Sequence, residues 1–262
     1  MYGRLPIAKM IAATFVLGTA IAAVMVSINW DGQEASTAAP KIDGLLNVMI
    51  VLSSYVFSLV LVMLFYALWK FKAKPGDESD GEPIHGNTRL EIAWTLIPTI
   101  IVLFGGGYSW KVLNEIEEKH DPITVDVFSQ QYAWSFAYPE EGYKYVEGEF
   151  HVPVNRQVQF KMHAQDVIHS FWVPEWRIKK DNVPGITTTA VVTPDKVGTY
   201  QLICTELCGF GHATMRAKVV VESPAKYEEW VNSLEQKTPE ALLESVREDT
   251  TDNAAQLGAG GA

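Results

Sequence analysis

The chain has 262 residues, enough for one or two domains, and its apolar content of 48% is bunched in the N-terminal third. A net charge of -10 would repel nucleic-acid phosphates and argues against that class of partner, while it suits a basic protein partner. Two cysteines are too few for a disulfide framework, which excludes a stapled mini-domain.

Three charge-free apolar runs come first. Residues 10–30 follow Arg4 and Lys9, residues 44–69 lie between Asp43 and Lys70, and residues 92–110 lie between Glu91 and Lys111. Each is about 20 residues long, which crosses a bilayer as a helix. Tyr55, Tyr66 and Trp69 in the second run, and Trp94, Tyr108 and Trp110 in the third, suit membrane interfaces. Arg4 and Lys9, with Lys70, Lys72, Lys74 and Arg89, put the amino terminus and the 70–89 loop in the cytoplasm by the positive-inside rule. The linker 31–43 and everything after Lys111 then lie outside.

The first run fits either a cleaved signal peptide, with an untidy cleavage site near residues 35–39, or a retained anchor; its length favours the anchor. Residues 70–88 read as a solvated connector. Glu91 fits a helix-start residue favoured by the dipole, or an acid that admits protons to a neighbouring subunit. Pro98 marks a kink point in the third span.

Beyond residue 120 the pattern turns short and alternating. Strands are predicted around residues 123–127, 132–138, 150–154, 158–162, 187–193, 198–203 and 216–221, with Pro, Gly and Asp breaking the runs. This predicts an all-β sandwich or barrel of about 110 residues. Residues 223–234 form a short closing helix, and the acidic tail from Pro239 reads as disordered.

Between the last two strands the chain reads Cys-Thr-Glu-Leu-Cys-Gly-Phe-Gly-His-Ala-Thr-Met, residues 204–215. It holds both cysteines, Cys204 and Cys208, then His212 and Met215. Thiolate, imidazole and thioether together select copper or another soft metal over calcium or magnesium. Zinc is the plainer metal, but it rarely takes a methionine. A disulfide is the metal-free alternative. Two cysteines can bridge two coppers, each also bound by a histidine, and that arrangement needs one more histidine.

Three histidines compete for the place. His151 and His163 fall on the polar face of their strands and read as solvated. His169 lies in a largely apolar stretch, with Ile168, Phe171 and Trp172, that leaves strand register. A buried histidine needs a partner, and the metal loop lacks one, so ligation is favoured.

Cys204-x-Glu206-x-Cys208-x3-His212-x2-Met215, with His169 upstream, resembles the dinuclear copper A site of subunit II of cytochrome c oxidase. The resemblance runs from about residue 43 to 230 and includes Glu91-x2-Trp94-x3-Pro98 and Asp181-x2-Pro184-Gly185. It implies a membrane-anchored α+β chain: two to three transmembrane helices, then a cupredoxin-like Greek-key β-barrel. The divisions are residues 1–43 (signal or anchor span and outer linker), 44–113 (helical hairpin), 114–236 (copper domain) and 237–262 (tail).

By position it implies that Cys204 and Cys208 bridge both coppers. His169 and Met215 complete one copper, and His212 with the Glu206 carbonyl completes the other. The Glu206 carboxylate resembles a magnesium ligand shared with subunit I, Glu91 an acid at the mouth of a proton channel, and Asp166 an acid that meets cytochrome c. The family often has Trp-x-Trp where this chain has Tyr132-Ala133-Trp134, so Tyr132 or Trp134 would receive the electron. Implied partners are subunits I and III, membrane lipid and a separate c-type cytochrome. The implied activity is that of a cytochrome c oxidase in a bacterial plasma membrane, with the copper domain on the outer face. Electrons would pass to haem in subunit I for oxygen reduction coupled to proton translocation.

Overall fold

The structure is a computed structural model that describes residues 6–30, 32–73, 75–76, 83, 85–234 and 236. The expected disordered tail lies outside the described residues.

Three helices lead the chain: α1 (Ile7–Ser27), α2 (Ala39–Lys70) and α3 (Thr88–Glu117). All three are long and apolar enough to cross a membrane. α2 and α3 outrun their apolar cores because polar residues cap them early. The Ser36 hydroxyl accepts the Ala39 N–H at 3.2 Å. Asn87 Oδ1 accepts the Arg89 and Leu90 N–H groups at 3.2 and 3.3 Å, and Glu91 Oε1 accepts the Asn87 N–H at 3.2 Å, so side chains satisfy the orphan donors of the first turn. α3 runs on through Pro98. Within the helical unit α1 packs on α2. A Cβ on Gly18 would lie 2.6 Å from the Tyr55 ring, and the Tyr55 and Thr19 hydroxyls are 2.9 Å apart.

The linker Asp31–Ile42 groups with the β-domain. Ala35 and Ser36 are fully buried there. The Ala35 N–H donates to the Glu175 carbonyl at 2.8 Å, the Thr37 N–H to the Thr193 carbonyl at 3.0 Å, and the Ser36 hydroxyl to the Trp176 carbonyl at 2.9 Å. The stretch read above as an untidy cleavage site is thus built into the domain.

The β-domain is two five-stranded sheets. One has the spatial order β3 (Lys144–Glu147), β2 (Ala133–Tyr138), β1 (Ile123–Gln130), β5 (Val158–Ala164), β8 (Thr188–Val192). The other runs β4 (Glu149–Pro153), β10 (Arg216–Glu222), β9 (Gly198–Cys204), β6 (His169–Val173), β7 (Ile178–Asn182). β1 with β5, and β4 with β10, are parallel; the other pairs are antiparallel. Strands far apart in the chain therefore lie side by side, as a Greek-key sandwich requires.

The period-2 pattern places the core. Val125 and Val127 of β1, Val158, Phe160 and Met162 of β5, and Val219 and Val221 of β10 are all buried. The Phe150 ring sits 4.4 Å from Phe136, 5.6 Å from Phe160, 6.1 Å from Phe171 and 6.2 Å from Trp176, joining the two sheets. A helix α4 (Pro224–Ser233) closes the domain near the place expected.

Three expectations need correction. β3 and β7 were not anticipated. β7 reads Ile-Lys-Lys-Asp-Asn with no apolar alternation, because it is an edge strand held by backbone pairing to β6. His169 does not leave strand register; it opens β6. His151 is not solvated but buried, because α4 covers the outward face of β4. Its ring stacks 3.9 Å from Trp230, Nε2 meets Glu149 Oε1 at 2.7 Å, and Nδ1 meets Glu222. His163 is half-buried, with its ring stacked 5.2 Å from Phe128. Replacing His151 with alanine removes both carboxylate contacts and the stack on α4. It should cost the β-domain about 2 kcal/mol, read as a lower urea midpoint.

Candidate metal centre

Strand parity aims three donors inward. On β9, Tyr200, Leu202 and Cys204 share the buried face, so Cys204 ends the strand pointing into the domain. Met215 immediately precedes β10 and shares the parity of Ala217, Val219 and Val221; it is fully buried. On β6, His169 shares the inward face with Phe171 and Val173 and is fully buried. Pairing brings these ends together: Phe171 lies opposite Cys204, and the Cys204 N–H donates to the Met215 carbonyl at 3.1 Å. Cys208 and His212 come from the intervening loop, where residues His212–Thr214 form one 3-10 turn.

The six expected donor groups converge. Cys204 Sγ lies 3.9 Å from Cys208 Sγ, 3.9 Å from His169 Nδ1 and 3.4 Å from the Glu206 carbonyl oxygen. Cys208 Sγ lies 3.6 Å from His212 Nδ1 and 3.8 Å from Met215 Sδ. His169, Cys204 and Cys208 have donor atoms mutually within 4.8 Å. Both cysteines are free and buried, so there is no disulfide. The donor chemistry fits a soft metal: two thiols, a thioether and two imidazoles around one buried point. Magnesium finds no such support. The Glu206 residue is exposed, and among the described residues the carboxylates form no metal-binding group of three donors.

Asp166 is tied into this site rather than free on the surface. Its Oδ1 accepts from His169 Nε2 at 2.8 Å and from the Val167 N–H at 2.7 Å; its Oδ2 accepts the Gln131 N–H at 2.7 Å. That fixes the His169 tautomer, with Nε2 bonded to Asp166 and Nδ1 turned to the sulfurs. Asp166→Asn should weaken metal binding about 10- to 100-fold, the usual cost of losing such a support, as measured by competition with a chelator.

Trp134 is buried edge-on to His169 and Phe171, with ring centroids 6.2 and 6.1 Å apart. Tyr132 is half-buried against the metal loop, where its hydroxyl accepts the Phe210 N–H at 2.9 Å. Glu91 caps α3, and its residue is exposed. Gln131 was not anticipated. Its side-chain amide donates to the Cys208 carbonyl. A glutamine whose side chain bonds to main chain carries no sequence signal; Gly209, which it faces, is the nearest hint.

Without metal, the site holds charge unevenly. Burial disfavours the His169 imidazolium, but Asp166 and Cys204 outweigh it and raise the pKa to about 9. Burial likewise opposes the Cys204 thiolate, yet hydrogen bonds led by His169 lower it to about 6. Burial and the neighbouring Cys204 thiolate push Cys208 up to about 12. Burial would raise Asp166, but its bonds from His169 and two N–H groups hold it below the usual range.

The imidazolium stabilises the fold fully below 6.5, the ordinary value of the group, and ceases to as pH rises through about 9. The thiolate does so fully above 9.0, the ordinary value of the group, and ceases to as pH falls through about 6. The ion pair therefore stands between about pH 6 and 9. Titrating the metal-free chain should show one thiolate absorbance step near pH 6, absent from Cys204→Ser. A first step only near pH 9 would remove the pair.

Fold and site define a membrane-anchored, cupredoxin-like protein with a buried soft-donor centre. Residues 144–223 match the family described as "Cytochrome C oxidase subunit II, periplasmic domain", and residues 23–112 match its "transmembrane domain". The chain is 33% identical to cytochrome c oxidase subunit 2 of Synechocystis sp. over 293 residues, covering 91% of this chain and 87% of that one. It is 31% identical to quinol oxidase subunit 2 of Bacillus cereus over 205 residues, covering 75% of this chain and 70% of that one. The crystal structure of the periplasmic domain of subunit II of cytochrome oxidase from Bradyrhizobium japonicum superposes with a TM-score of 0.43 at 29% identity, covering 45% of this chain and 95% of that one. The chain belongs to the cytochrome c oxidase subunit II family.

Proposed function

We propose that this chain is the electron-accepting subunit of a bacterial terminal oxidase and that its loop centre holds a copper pair. The observation that carries the reading is the convergence of Cys204, Cys208, His169, His212, Met215 and the Glu206 carbonyl within 3.4–3.9 Å steps. A bound copper pair would supply one-electron redox chemistry, by which this chain would accept electrons from a c-type cytochrome and pass them to subunit I. Cys204, Cys208, His169, His212, Met215 and the Glu206 carbonyl would hold it between them.

The chain's own residues do the rest. Burial of both cysteines, His169 and Met215 keeps water from the donors. Asp166 holds His169 in register. Tyr132, beside the loop, and Trp134, beside His169, are candidate contacts for the incoming electron. Glu91 is the candidate acid for a proton path in subunit I. Subunit III and membrane lipid complete the expected surroundings.

The test is copper content and electron paramagnetic resonance on the full chain in detergent, reduced and then loaded. A pair of coppers with hyperfine splitting shared by both nuclei is expected. Single-nucleus splitting, or no bound copper, sinks the reading. The Bacillus cereus relative gives a quinol-oxidising assembly as the second reading. It wins if the assembled oxidase consumes quinol and leaves reduced cytochrome c untouched.

A further inference from the structure

Loop residues 205–214 have little to hold them from outside. Leu207 is 80% exposed and Phe210 fully exposed, so neither side chain anchors the loop. Gly209 and Gly211 flank Phe210, and glycine adds backbone freedom at just the stretch that must set Cys208 against His212. The restraint comes from the inner side, at the junction between β1 and β2.

Gln131 and Tyr132 touch the loop's main chain at Cys208 and Phe210. The Gln131 amide donates to the Cys208 carbonyl. The Phe210 N–H donates to the Tyr132 hydroxyl at 2.9 Å. A Cβ on Gly209 would lie 2.5 Å from the Tyr132 hydroxyl oxygen and 2.7 Å from the Gln131 amide nitrogen. A Cβ on Gly211 would lie 2.5 and 2.6 Å from Tyr132 Cδ2 and Cγ. Both glycines are therefore needed for the ring to lie this close, and Gly209 also has φ +132°. The Gln131 N–H ends on Asp166, whose other oxygen holds His169.

We propose that Gln131 and Tyr132 are positioning residues that clamp the loop main chain and so set the spacing between the Cys208 sulfur and the His212 imidazole. The proposal rests on the copper reading only in what the clamp positions; the clamp itself is a contact of the metal-free chain. The hydroxyl is the specific element. An aromatic ring alone would fill the space over Gly211, but only an acceptor can take the Phe210 N–H. An indole N–H is a donor only and cannot replace it.

The experiment uses the full chain in detergent with Tyr132→Phe, Tyr132→Trp, Gly211→Ala and the Tyr132→Ala/Gly211→Ala double variant. In the metal-free chain, hydrogen–deuterium exchange of the peptide containing Phe210 should quicken about fivefold in Tyr132→Phe, the worth of one ordinary hydrogen bond. Copper-loaded Tyr132→Phe should release metal to a chelator about fivefold faster, with altered hyperfine splitting and a urea midpoint that falls by no more than the loss of that one bond. Tyr132→Trp should follow Tyr132→Phe. Gly211→Ala should speed release strongly beside Tyr132 and little beside Ala, because the two sites share one contact.

Unchanged Phe210 exchange in Tyr132→Phe overturns the clamp. Faster exchange with unchanged metal release and splitting overturns its positioning role. If the wild-type chain takes up no copper pair, the function proposed above fails, and the exchange result still decides whether the clamp exists.

Discussion

Cys204→Ser is expected to abolish the copper-pair signal and to slow oxidation of a reduced c-type cytochrome by the assembled oxidase more than 100-fold, taking about 100-fold as the cost of merely losing a support behind a ligand. Cys204 Sγ lies near three other donors, the Cys208 sulfur, His169 and the Glu206 carbonyl. A serine hydroxyl is shorter, harder and not ionised at neutral pH, so it neither spans that gap nor suits copper. The fold should survive, because Cys204 is the last residue of β9 and its backbone pairing is untouched. Cys208→Ser should be equally damaging if both sulfurs bridge. A Cys208→Ser chain that kept a two-nucleus splitting would disprove the bridging arrangement while leaving the copper itself in place.

The cysteine motif was legible because its donors are close in sequence and chemically unlike ordinary core residues. His169 was harder. It had to be chosen from three histidines on the character of its neighbours, and the fold does bring that residue beside the two sulfurs, though the reason given for it was partly wrong. The residue does not leave strand register; it lies two positions from Phe171 on the inward face of β6, and Phe171 pairs with Cys204.

The same alternation rule misread His151. Parity says which face a side chain takes, but not whether another element covers that face. Here α4 does, and Trp230 stacks on the ring. The apolar runs revealed the helices but not where α2 and α3 start, which Ser36 sets through one side-chain hydrogen bond and Asn87 through two. β3 and β7 escaped notice because edge strands form by backbone pairing and need no apolar alternation. Gln131 escaped for a similar reason, since its partner is a carbonyl group.

Phe150→Ala should be the most destabilising single change in the β-domain, at about 3–5 kcal/mol, out of the roughly 5–15 kcal/mol that holds an ordinary domain together. The side chain is fully buried and touches aromatic rings from β2, β5 and β6 as well as Trp176. Truncation removes apolar area and leaves a cavity that rings fixed on two sheets cannot close. The consequence should reach the metal centre, because the Phe171 ring borders that cavity from the strand that carries His169. Copper release to a chelator should therefore quicken along with the fall in the urea midpoint. Phe150→Leu, which keeps most of the volume, should cost much less on both readings. If Phe150→Ala lowered the midpoint and left copper release unchanged, the loop would be held by its own contacts, Gln131 and Tyr132 foremost, and not by the packing of the sandwich beneath it.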